Sequence, residues 1–581
     1  MNIQDKIKDL IKKALIDLGT PKEMVTIQIE HPTDLALGDY SSNVALILSK
    51  QLGATAKNPV DLAKKIAEHI KKEKKDFIKD IQVAGPGFIN FFLSRDFFVD
   101  SVAEILKKDA TYGKNTKHWK EKVLIEYTDP NPFKEFHIGH LMSNTIGESL
   151  SRLIEWSGAK VARANYQGDV GLHVAKALWA MTKELPKPDA TPLHQAEYLG
   201  KMYSQGAKVY DEDEKAKKEI IEINKKIYNR SDKKINELYD WGRKASLDYF
   251  EIVYKKLGTD HGAGKAFNYY FFESETGAYG KKVVEEHLKD GVFEKSDNAI
   301  VFRGEKYDPA LHTRVFINSE GLPTYEAKEL GLAKIKYDEY SYTTSIVVTG
   351  NEVNDYFKVL LKAMSLVFPE LAEKTKHVSH GMLRLPTGKM SSRTGDVITA
   401  ESLIEEVQNL ILEKIKDREF TEAQKKEISE TVAIGAIKYS ILKQSVGKDI
   451  IFDFDKSLSF EGDSGPYLQY VYVRAKSILK KAKEEGIKPK VKKSPEEISD
   501  VERMLYRFPE IVERASDDYA PQAIATYLVH LAGLFNTYYA QTKIVNKEDE
   551  SSAYKVALAE AVSWVIKNGL DILGIKAPER M

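Results

Sequence analysis

The sequence predicts a multidomain α/β protein, in which a parallel sheet stands between a small α+β segment and an all-α region. The chain has 581 residues, more than one hydrophobic core accommodates, so we expect roughly three or four domains. A strand–turn–helix–strand pattern begins at Lys122, and this order is typical of a parallel sheet. Beyond about residue 400 the apolar period stays near 3.6 and strand signals disappear, which indicates helices.

Residues 1–95 are predicted to form the small α+β segment. The apolar residues of "MNIQDKIKDLIKKALIDLG", from Ile3 to Leu18, fall on one helical face, which favours packing of this helix on its own domain. A Gly-Pro-Gly turn in "IQVAGPGFINFFLS" then leads into an apolar strand. The polar stretch "KKDATYGKNTKHWKEK" is predicted to be a linker.

Residues 118–400 are predicted to form the sheet domain. "KVLIEYT" is a short buried strand, an amphipathic helix ends at Gly158, and "AKVARANYQGD" is the next strand. The charged stretch from about residue 175 to 300 is predicted to be a mostly helical insertion. We expect strands to resume at "RVFINSEG" and "SIVVTGNEV".

Residues 401–460 and 461–581 are predicted to be helical. A Lys-rich loop, "LKKAKEEGIKPKVKKSPEE", lies in the second of these ranges. Two hypotheses stay open for this loop, a solvated surface and a contact with RNA.

Composition excludes several classes of protein. The 87 basic and 87 acidic residues balance, so any nucleic-acid site depends on local placement of charge. There is no cysteine, which excludes disulfides, Cys-based zinc sites and thiol catalysis, and which suits a reducing cytosol. The N-terminus lacks the apolar core of a signal peptide, and no apolar run reaches the ~20 residues that span a bilayer. We therefore expect a soluble, cytoplasmic protein with no membrane partner.

Two histidines bracket a glycine in "NPFKEFHIGH", directly after the first predicted strand of the sheet. Zinc hydrolases with this spacing carry Glu after the first His, whereas Ile138 and Gly139 follow His137 here, so we expect no metal centre. Ordinary packing at a helix start stays open as an alternative. Phosphate binding is favoured, because a helix N-terminus presents free N–H groups and imidazoles can donate to phosphoryl oxygens. Gly139 would let a base or ribose approach the backbone.

A second motif, in "HGMLRLPTGKMSSRTGDVI", supports the nucleotide hypothesis. It places Lys389, Ser391, Ser392 and Arg393 on a glycine-flanked loop, where a cation and hydroxyls can meet a polyphosphate. A P-loop is excluded, since no Gly-x-x-x-x-Gly-Lys-Ser/Thr occurs in the chain.

"HIGH" and "GKMSSR" resemble the two signatures of class I aminoacyl-tRNA synthetases. "IEYTDPNPFKEFHIGHLMSNTIGESLSRL", "LGDYSSNVAL", "VAGPGFINFF", "AIKYSILKQSVGKDIIFDFDKSLSFEGDSGPYLQYVYVR" and "KNGLDILGIKAPERM" resemble arginyl-tRNA synthetases over nearly the whole chain. The resemblance is weakest between about 175 and 300. It implies a class I Rossmann-type catalytic domain at 118–400, a tRNA-elbow-binding domain at 1–95, a tRNA-stem junction at 401–460 and an anticodon-binding bundle at 461–581.

The resemblance implies a two-step reaction. The carboxylate of L-arginine attacks the α-phosphate of ATP, which gives arginyl-adenylate and pyrophosphate. The arginyl group then moves to the 3′ end of tRNA-Arg, first to the 2′-OH, and AMP leaves. The expected cofactors are ATP and substrate-associated Mg²⁺, with no resident metal. Activation is expected to need bound tRNA, and the family expectation is a monomer.

The resemblance also implies site residues. The catalytic group comprises His137, His140, Lys389, Ser391 and Lys134. The ATP-binding group comprises His137, Gly139, His140 and Lys389. The histidines would donate to the phosphates, and Lys389, assisted by Ser391, would pair with the leaving pyrophosphate.

Substrate and tRNA contacts are carried over by motif position. The arginine-binding group comprises Glu126, Asn131, Tyr325, Glu329 and Glu352. Carboxylates suit the rigid donor fork of a guanidinium. The tRNA-binding group comprises Phe88, Asn90, Tyr539 and Met581. Phe88 and Tyr539 would stack on bases, although core packing stays open as an alternative for both aromatic rings.

Three departures from the family pattern affect these expectations. Ser392 replaces the second lysine of the second signature, and Lys134 would take its place. Glu329 replaces an Asp, which lengthens the side chain by one methylene. Glu352 and Asp355 replace the Gln and His of a Gln-x-x-His pattern. Two other hypotheses stay open, another class I synthetase or nucleotidyl transferase, and a synthetase-like RNA-binding or scaffold protein without catalysis.

Overall fold

A computed structural model describes residues 3–20, 27–52, 58–73, 75–187, 190–259, 264–386 and 398–581. The chain divides into two compact units. The first unit comprises Met1–Gly113, Val471–Ile511 and His530–Asn568. The second comprises Lys114–Tyr470, Val512–Val529 and Gly569–Met581.

The elements of the described residues follow in chain order. The helices are α1 (Ile3–Asp17), α2 (Val44–Leu52), α3 (Pro59–Lys72), α4 (Arg95–Lys108), α5 (Ile138–Trp156), α6 (Leu172–Met181), α7 (Pro192–Glu212), α8 (Glu214–Asn229), α9 (Lys233–Lys256), α10 (Glu273–Glu286), α11 (Tyr325–Glu339), α12 (Asn354–Val367), α13 (Pro369–Lys374), α14 (Ala400–Lys414), α15 (Glu422–Leu442), α16 (Phe454–Ser457), α17 (Gly465–Glu484), α18 (Asp500–Leu505), α19 (Phe508–Asp517), α20 (Pro521–Gln541) and α21 (Ser552–Ile572). The strands are β1 (Tyr40–Ser42), β2 (Ile78–Ala84), β3 (Phe88–Leu93), β4 (Lys122–Glu126), β5 (Lys160–Gln167), β6 (Tyr269–Phe272), β7 (Glu294–Ser296), β8 (Ala299–Arg303), β9 (Thr313–Ile317), β10 (Thr344–Gly350), β11 (Thr375–His380), β12 (Leu383–Arg384) and β13 (Ile450–Ile451).

The first unit contains the predicted α+β segment. Its sheet has the order β1-β3-β2 and is antiparallel, and the Gly-Pro-Gly turn joins β2 to β3 as a hairpin. Gly85 and Gly87 of that turn have φ values of 54° and 127°, which glycine adopts without strain. Helix α1 packs its apolar face into the same core, as the helical period predicts. Leu18, however, lies beyond the end of α1 and is 40% exposed.

The second unit is built on a parallel five-stranded sheet with the order β11-β10-β4-β5-β6. The predicted β-α-β unit is β4, α5 and β5. Strand β4 pairs with β5 on one side and with β10 on the other, so the chain reverses its winding direction between β4 and β10. Ligands bind in the crevice that such a switch point opens at the carboxyl ends of the strands.

The charged stretch is helical as far as Lys256, through helices α6 to α9. Strands then resume earlier than expected. Strand β6 joins the parallel sheet beside β5, and β7, β8 and β9 form a separate antiparallel sheet. The predicted strand "RVFINSEG" therefore belongs to this small sheet, whereas "SIVVTGNEV" contains β10 of the parallel sheet.

Helices dominate the described chain beyond residue 400, as predicted. The exception is β13, two residues that pair with β12. No helix of the described residues is long and apolar enough to cross a membrane.

Candidate active site

The carboxyl ends of β4 and β10 open into a cavity of about 870 Å³ in the second unit. Eight of the sequence-predicted residues line it together. These are Glu126, Asn131, His137, Gly139, His140, Tyr325, Glu329 and Glu352. The structure thus brings the predicted phosphate-binding motif and the predicted arginine-binding residues to one place.

The loop between β4 and α5 is strained where it borders the cavity. Thr128, Asp129 and Phe133 have φ values of 79°, 45° and 66°, which non-glycine residues rarely adopt. The surrounding side chains hold this backbone. The N–H of Thr128 donates to Ser143 Oγ at 2.9 Å, and the N–H of Phe133 donates to Ser246 Oγ at 2.9 Å. Strain that neighbours fix in this way is common at functional sites, where it positions reactive groups.

His137 and His140 cap the N-terminus of α5. The N–H of Gly139 donates to Nδ1 of His137 at 3.1 Å, and the N–H of His137 donates to Nδ1 of His140 at 3.2 Å. Because both Nδ1 atoms accept, each neutral ring carries its hydrogen on Nε2. The site therefore presents two Nε2–H donors at the positive end of the α5 dipole.

Both imidazoles are held neutral. Burial lowers the pKa of His137, and the charge of Lys134 lowers it further. Burial, followed by the neighbouring His137 and by Lys134, lowers the pKa of His140 well below its usual value. Near neutral pH the two rings are thus hydrogen-bond donors without a net charge.

Gly139 has a steric role that the sequence alone did not predict. A Cβ atom at this position would lie 2.9 Å from Cε1 of His137 and 3.0 Å from its Nδ1. Any side chain would therefore displace the His137 ring.

Lys134 lies near the two histidines, since its charge lowers the pKa of both rings. Its Nζ lies 4.7 Å from the centre of the Tyr203 ring.

The lining of the cavity is strongly acidic. Among the described residues that line it, six carry carboxylates and Arg314 is the one with a permanent cation. The six are Glu126, Asp129, Glu273, Glu326, Glu329 and Glu352. This balance suits a cationic ligand.

Buried cations neutralise part of this charge. Lys336 donates to Glu126 at 2.9 Å, and Lys328 donates to Glu273 at 2.6 Å. Arg314 donates to Glu326 at 3.3 Å. Glu329 has no such partner within salt-bridge distance in the described chain, and burial together with Glu126 raises its pKa to about 8.

Glu352 and Asp355, the two residues that depart from the Gln-x-x-His pattern, lie in different surroundings. Glu352 is exposed and lines the cavity directly after β10. Asp355 instead lies outside the lining residues and pairs with Lys358 at 2.9 Å. Tyr325, which is 61% exposed, stands at the opening.

Lys389 and Ser391, together with Ser392, lie outside the described residues. The described flanks of that segment do line the cavity, through Leu383 on one side and Ile398 on the other. Ile398 is fixed beside the histidines, since the N–H of Ile138 donates to its carbonyl at 3.1 Å.

The predicted tRNA-binding residues do not line this cavity. Phe88, 38% exposed, and Asn90, which is buried, line a different cavity of about 490 Å³ in the first unit. Tyr539 is 44% exposed, and the Arg474 guanidinium lies 5.0 Å from its ring centre. The exposure of Phe88 and Tyr539 argues against core packing as the role of either ring.

The cavity also contains polar residues that the sequence did not predict, among them Asp129, Glu273, Arg314 and Tyr356. Asp129 had a usable signal, because it is a carboxylate directly after the strand that ends in Glu126. The other three come from α10, β9 and α12, whose approach to the site depends on the tertiary fold.

Three protein-family models match the chain. "Arginyl tRNA synthetase N terminal domain" matches residues 5–93, "tRNA synthetases class I (R), catalytic domain" matches 101–454, and "DALR anticodon binding domain" matches 468–581. The second of these covers more than half of the chain.

Curated relatives match over full length. An arginine–tRNA ligase of Halothermothrix orenii is 32% identical over 100% of both chains, and one of Lactobacillus johnsonii is 30% identical over 100% of both. Among solved structures, the arginyl-tRNA synthetase of Thermus thermophilus has a TM-score of 0.79 at 23% identity and covers 99% of this chain and 100% of its own. That of Plasmodium falciparum has a TM-score of 0.77 at 21% identity over 100% of both. At these identities the two structures support the fold alone.

Proposed function

The chain belongs to the class I arginyl-tRNA synthetase family, and on this premise we propose how its residues join L-arginine to tRNA-Arg at the expense of ATP. The observation that carries the assignment of roles is the set of side chains that share the cavity. Two neutral histidines at a helix N-terminus and six carboxyl groups line it together. The histidines suit a nucleotide phosphate, and the carboxyl groups suit a guanidinium.

In the activation step, ATP enters with Mg²⁺ and its phosphates meet the start of α5. A carboxylate oxygen of L-arginine attacks the α-phosphorus. The bond between the α-phosphorus and the oxygen that bridges it to the β-phosphate breaks, and pyrophosphate leaves. The Nε2–H groups of His137 and His140 donate to phosphoryl oxygens as charge shifts in the transition state. One such donor contributes about 2.7–4 kcal/mol to lowering a barrier.

Three further residues complete the proposed phosphate site. Lys389 pairs with the pyrophosphate, and Ser391 assists it. Lys134 takes the role of the lysine that Ser392 replaces. The position of Lys134 supports this proposal, because its charge already acts on both histidines.

Arginine is proposed to bind with its guanidinium toward Glu126 and Glu329. Each carboxylate can accept two N–H···O hydrogen bonds in the plane of the guanidinium group. Asn131, Tyr325 and Glu352, which line the same cavity, are proposed to hold the remaining polar groups of the amino acid. The longer Glu329 reaches into the cavity from α11 and has no cation of its own.

In the transfer step, the terminal 2′-OH of tRNA-Arg attacks the arginyl carbonyl and AMP leaves. We propose that residues 1–95 bind the tRNA elbow through Phe88 and Asn90. The helices of 401–460 would contact the stem, and those of 461–581 the anticodon, with Tyr539 and Met581. An exposed ring beside an arginine, as at Tyr539, is suited to stacking on a base.

We further propose that the protein works as a monomer in the cytoplasm. The absence of cysteine suits that compartment. Sedimentation of the purified protein at several concentrations tests the first statement, since a mass near 65.7 kDa throughout is expected.

Amino-acid-dependent ATP–pyrophosphate exchange tests the proposed function. It is measured for each standard amino acid, with and without total tRNA. Exchange with arginine in the presence of tRNA is expected. Exchange with another amino acid would overturn the assignment of arginine as the substrate. An exchange rate that is the same with and without tRNA would overturn the dependence of activation on tRNA. A complete lack of exchange would favour a non-catalytic RNA-binding protein.

A further inference from the structure

Asp129 occupies a position in the cavity that the proposed arginine contacts leave unused. It lies three residues beyond Glu126, in the strained loop that follows β4, with φ of 45°. Its Oδ1 accepts from the N–H of Tyr166 at 2.7 Å, so the backbone of β5 fixes the direction of the carboxylate. The strained backbone and the hydrogen bond to β5 together hold the Asp129 carboxylate in one orientation.

The charges around Asp129 do not balance. The charges of Glu126 and Glu329 raise the pKa of Asp129, and the charge of Lys336 lowers it. Lys336 is buried and already donates to Glu126. The cluster of Glu126, Asp129 and Glu329, which we call the carboxylate triad, thus has three acids and one ammonium group.

The other charged groups nearby are committed elsewhere. Glu273 pairs with Lys328 and Glu326 pairs with Arg314. The remaining titratable groups packed around the triad are four tyrosines, which come from β5, α9, the segment after α11 and α12: Tyr166, Tyr254, Tyr342 and Tyr356. Burial raises the pKa of each of these hydroxyls, so they carry no charge near neutral pH.

Two carboxyl groups of the triad therefore favour their protonated forms. Burial, then Glu126, raises the pKa of Asp129 well above its usual value. The same two causes raise the pKa of Glu329 to about 8. A protonated carboxyl carries an O–H where a guanidinium N–H needs an acceptor, so that proton has to leave before a two-bond pair can form.

We propose that Asp129 is a third carboxylate of the arginine site, and that L-arginine binds with release of a proton from the carboxylate triad. This inference rests on the proposed function and specifies its amino-acid site. The O–H bond of a carboxyl group breaks, its proton passes to solvent, and the carboxylate pairs with the guanidinium, which stays charged throughout. A neutral analogue such as citrulline supplies no charge to replace the proton.

The proton release is measured directly by titration calorimetry of L-arginine into the full-length protein. The titration is repeated at pH 7 in two buffers of different ionisation enthalpy. A group with a pKa of about 8 is roughly nine-tenths protonated at pH 7, so release of nearly one proton per arginine is expected. The dissociation constant should fall about tenfold per pH unit below pH 8 and level off above it. Citrulline should bind weakly and release no proton.

The role of Asp129 is tested with Asp129→Asn, which keeps an oxygen to accept from Tyr166. We expect arginine affinity to fall about tenfold and the proton count to fall below half, because the variant removes one of the three charges. Asp355→Asn is the matched control, since Asp355 is an exposed carboxylate that does not line the cavity. Asp355→Asn should keep the wild-type affinity for arginine and the wild-type proton count.

The outcomes separate the inference from the proposed function. Wild-type protein that binds arginine with no proton release at either buffer overturns the proton coupling, whatever the variant does. An Asp129→Asn protein with unchanged affinity and proton count overturns the role of Asp129. A wild type that binds no arginine and shows no arginine-dependent exchange overturns the proposed function instead.

Discussion

The imidazole rings of His137 and His140 stack face to face, with their centres 3.6 Å apart and an angle of 18° between their planes. Two charged rings would repel each other at this distance, so the stack disfavours the doubly protonated state. The helix cap, in which each Nδ1 accepts from a backbone N–H, needs both rings to be neutral. The stack and the helix cap thus favour the same protonation state. One arrangement thus fixes the ring positions, the tautomers and the charge of the two histidines, which are the proposed phosphate donors.

His140→Ala should lower the rate of arginine- and tRNA-dependent pyrophosphate exchange by about 100- to 1,000-fold, the effect of one lost transition-state donor. The KM for arginine should change little, because the proposed contact of His140 is with the ATP phosphates and not with arginine. His287→Ala is the control, since His287 is a surface histidine that pairs with Asp290. A loss that appears only in the KM for arginine would contradict the role of His140.

Gly139→Ala should lower kcat by about 10- to 100-fold without unfolding the protein. The added methyl group would meet the His137 ring at 2.9 Å and turn it away from the phosphates, a misplacement of about 1 Å at a catalytic group. Gly533→Ala is a matched control, because its added methyl group meets nothing within 4 Å. The control should keep full activity and gain up to about 1 kcal/mol of stability from better helix propensity. Equal activity of the two variants would refute the steric role of Gly139.

Glu126→Gln should raise the KM for arginine about 100-fold and leave the KM for ATP within about twofold. The amide keeps an acceptor for Lys336 but removes the charge that faces the guanidinium, and hydrogen bonds to charged groups contribute about 1.5–3 kcal/mol. Steady-state exchange kinetics with each substrate varied in turn give both constants. Similar losses for arginine and ATP would remove Glu126 from the amino-acid site.

The sequence predicted the elements that local pattern determines. The β-α-β unit follows from apolar runs and a glycine helix stop, and both histidines follow from a motif at the start of that helix. The charged lining of the cavity was predicted only in part. Glu273 comes from α10 and Arg314 from β9, and no local pattern shows that these segments approach the end of β4. The same holds for β6, whose four residues join the parallel sheet after a long helical stretch.

Stability should fall as pH drops below 6.5. Burial lowers the pKa of His173 to about 3 and that of His377 to about 4, whereas an unfolded histidine has a pKa near 6.5. As the pH falls, the unfolded chain takes up protons first, so the stability that these neutral rings contribute is present above 6.5 and is lost below it. Each ring accounts for at most about 1.4 kcal/mol per pH unit.

Urea unfolding at a series of pH values between 7.5 and 4.5 measures this dependence. His377→Gln should flatten the slope, because a glutamine does not titrate. An unchanged slope in this variant would exclude His377 as a source of the acid sensitivity.

Phe88→Ala should raise the KM for tRNA by roughly 5- to 150-fold, since stacking of one base on an aromatic ring contributes about 1–3 kcal/mol. Phe88 lies at the rim of a cavity whose floor includes Asn90, and the Ser41 hydroxyl fixes the Asn90 amide by donating to its Oδ1 at 2.7 Å. At saturating tRNA, arginine activation should keep its normal kcat, because neither residue lines the catalytic cavity. Leu18→Ala is the matched control: Leu18 is equally exposed, belongs to the same unit and lies outside that cavity. If Phe88→Ala and Leu18→Ala charge tRNA with equal KM, this cavity does not hold a tRNA base.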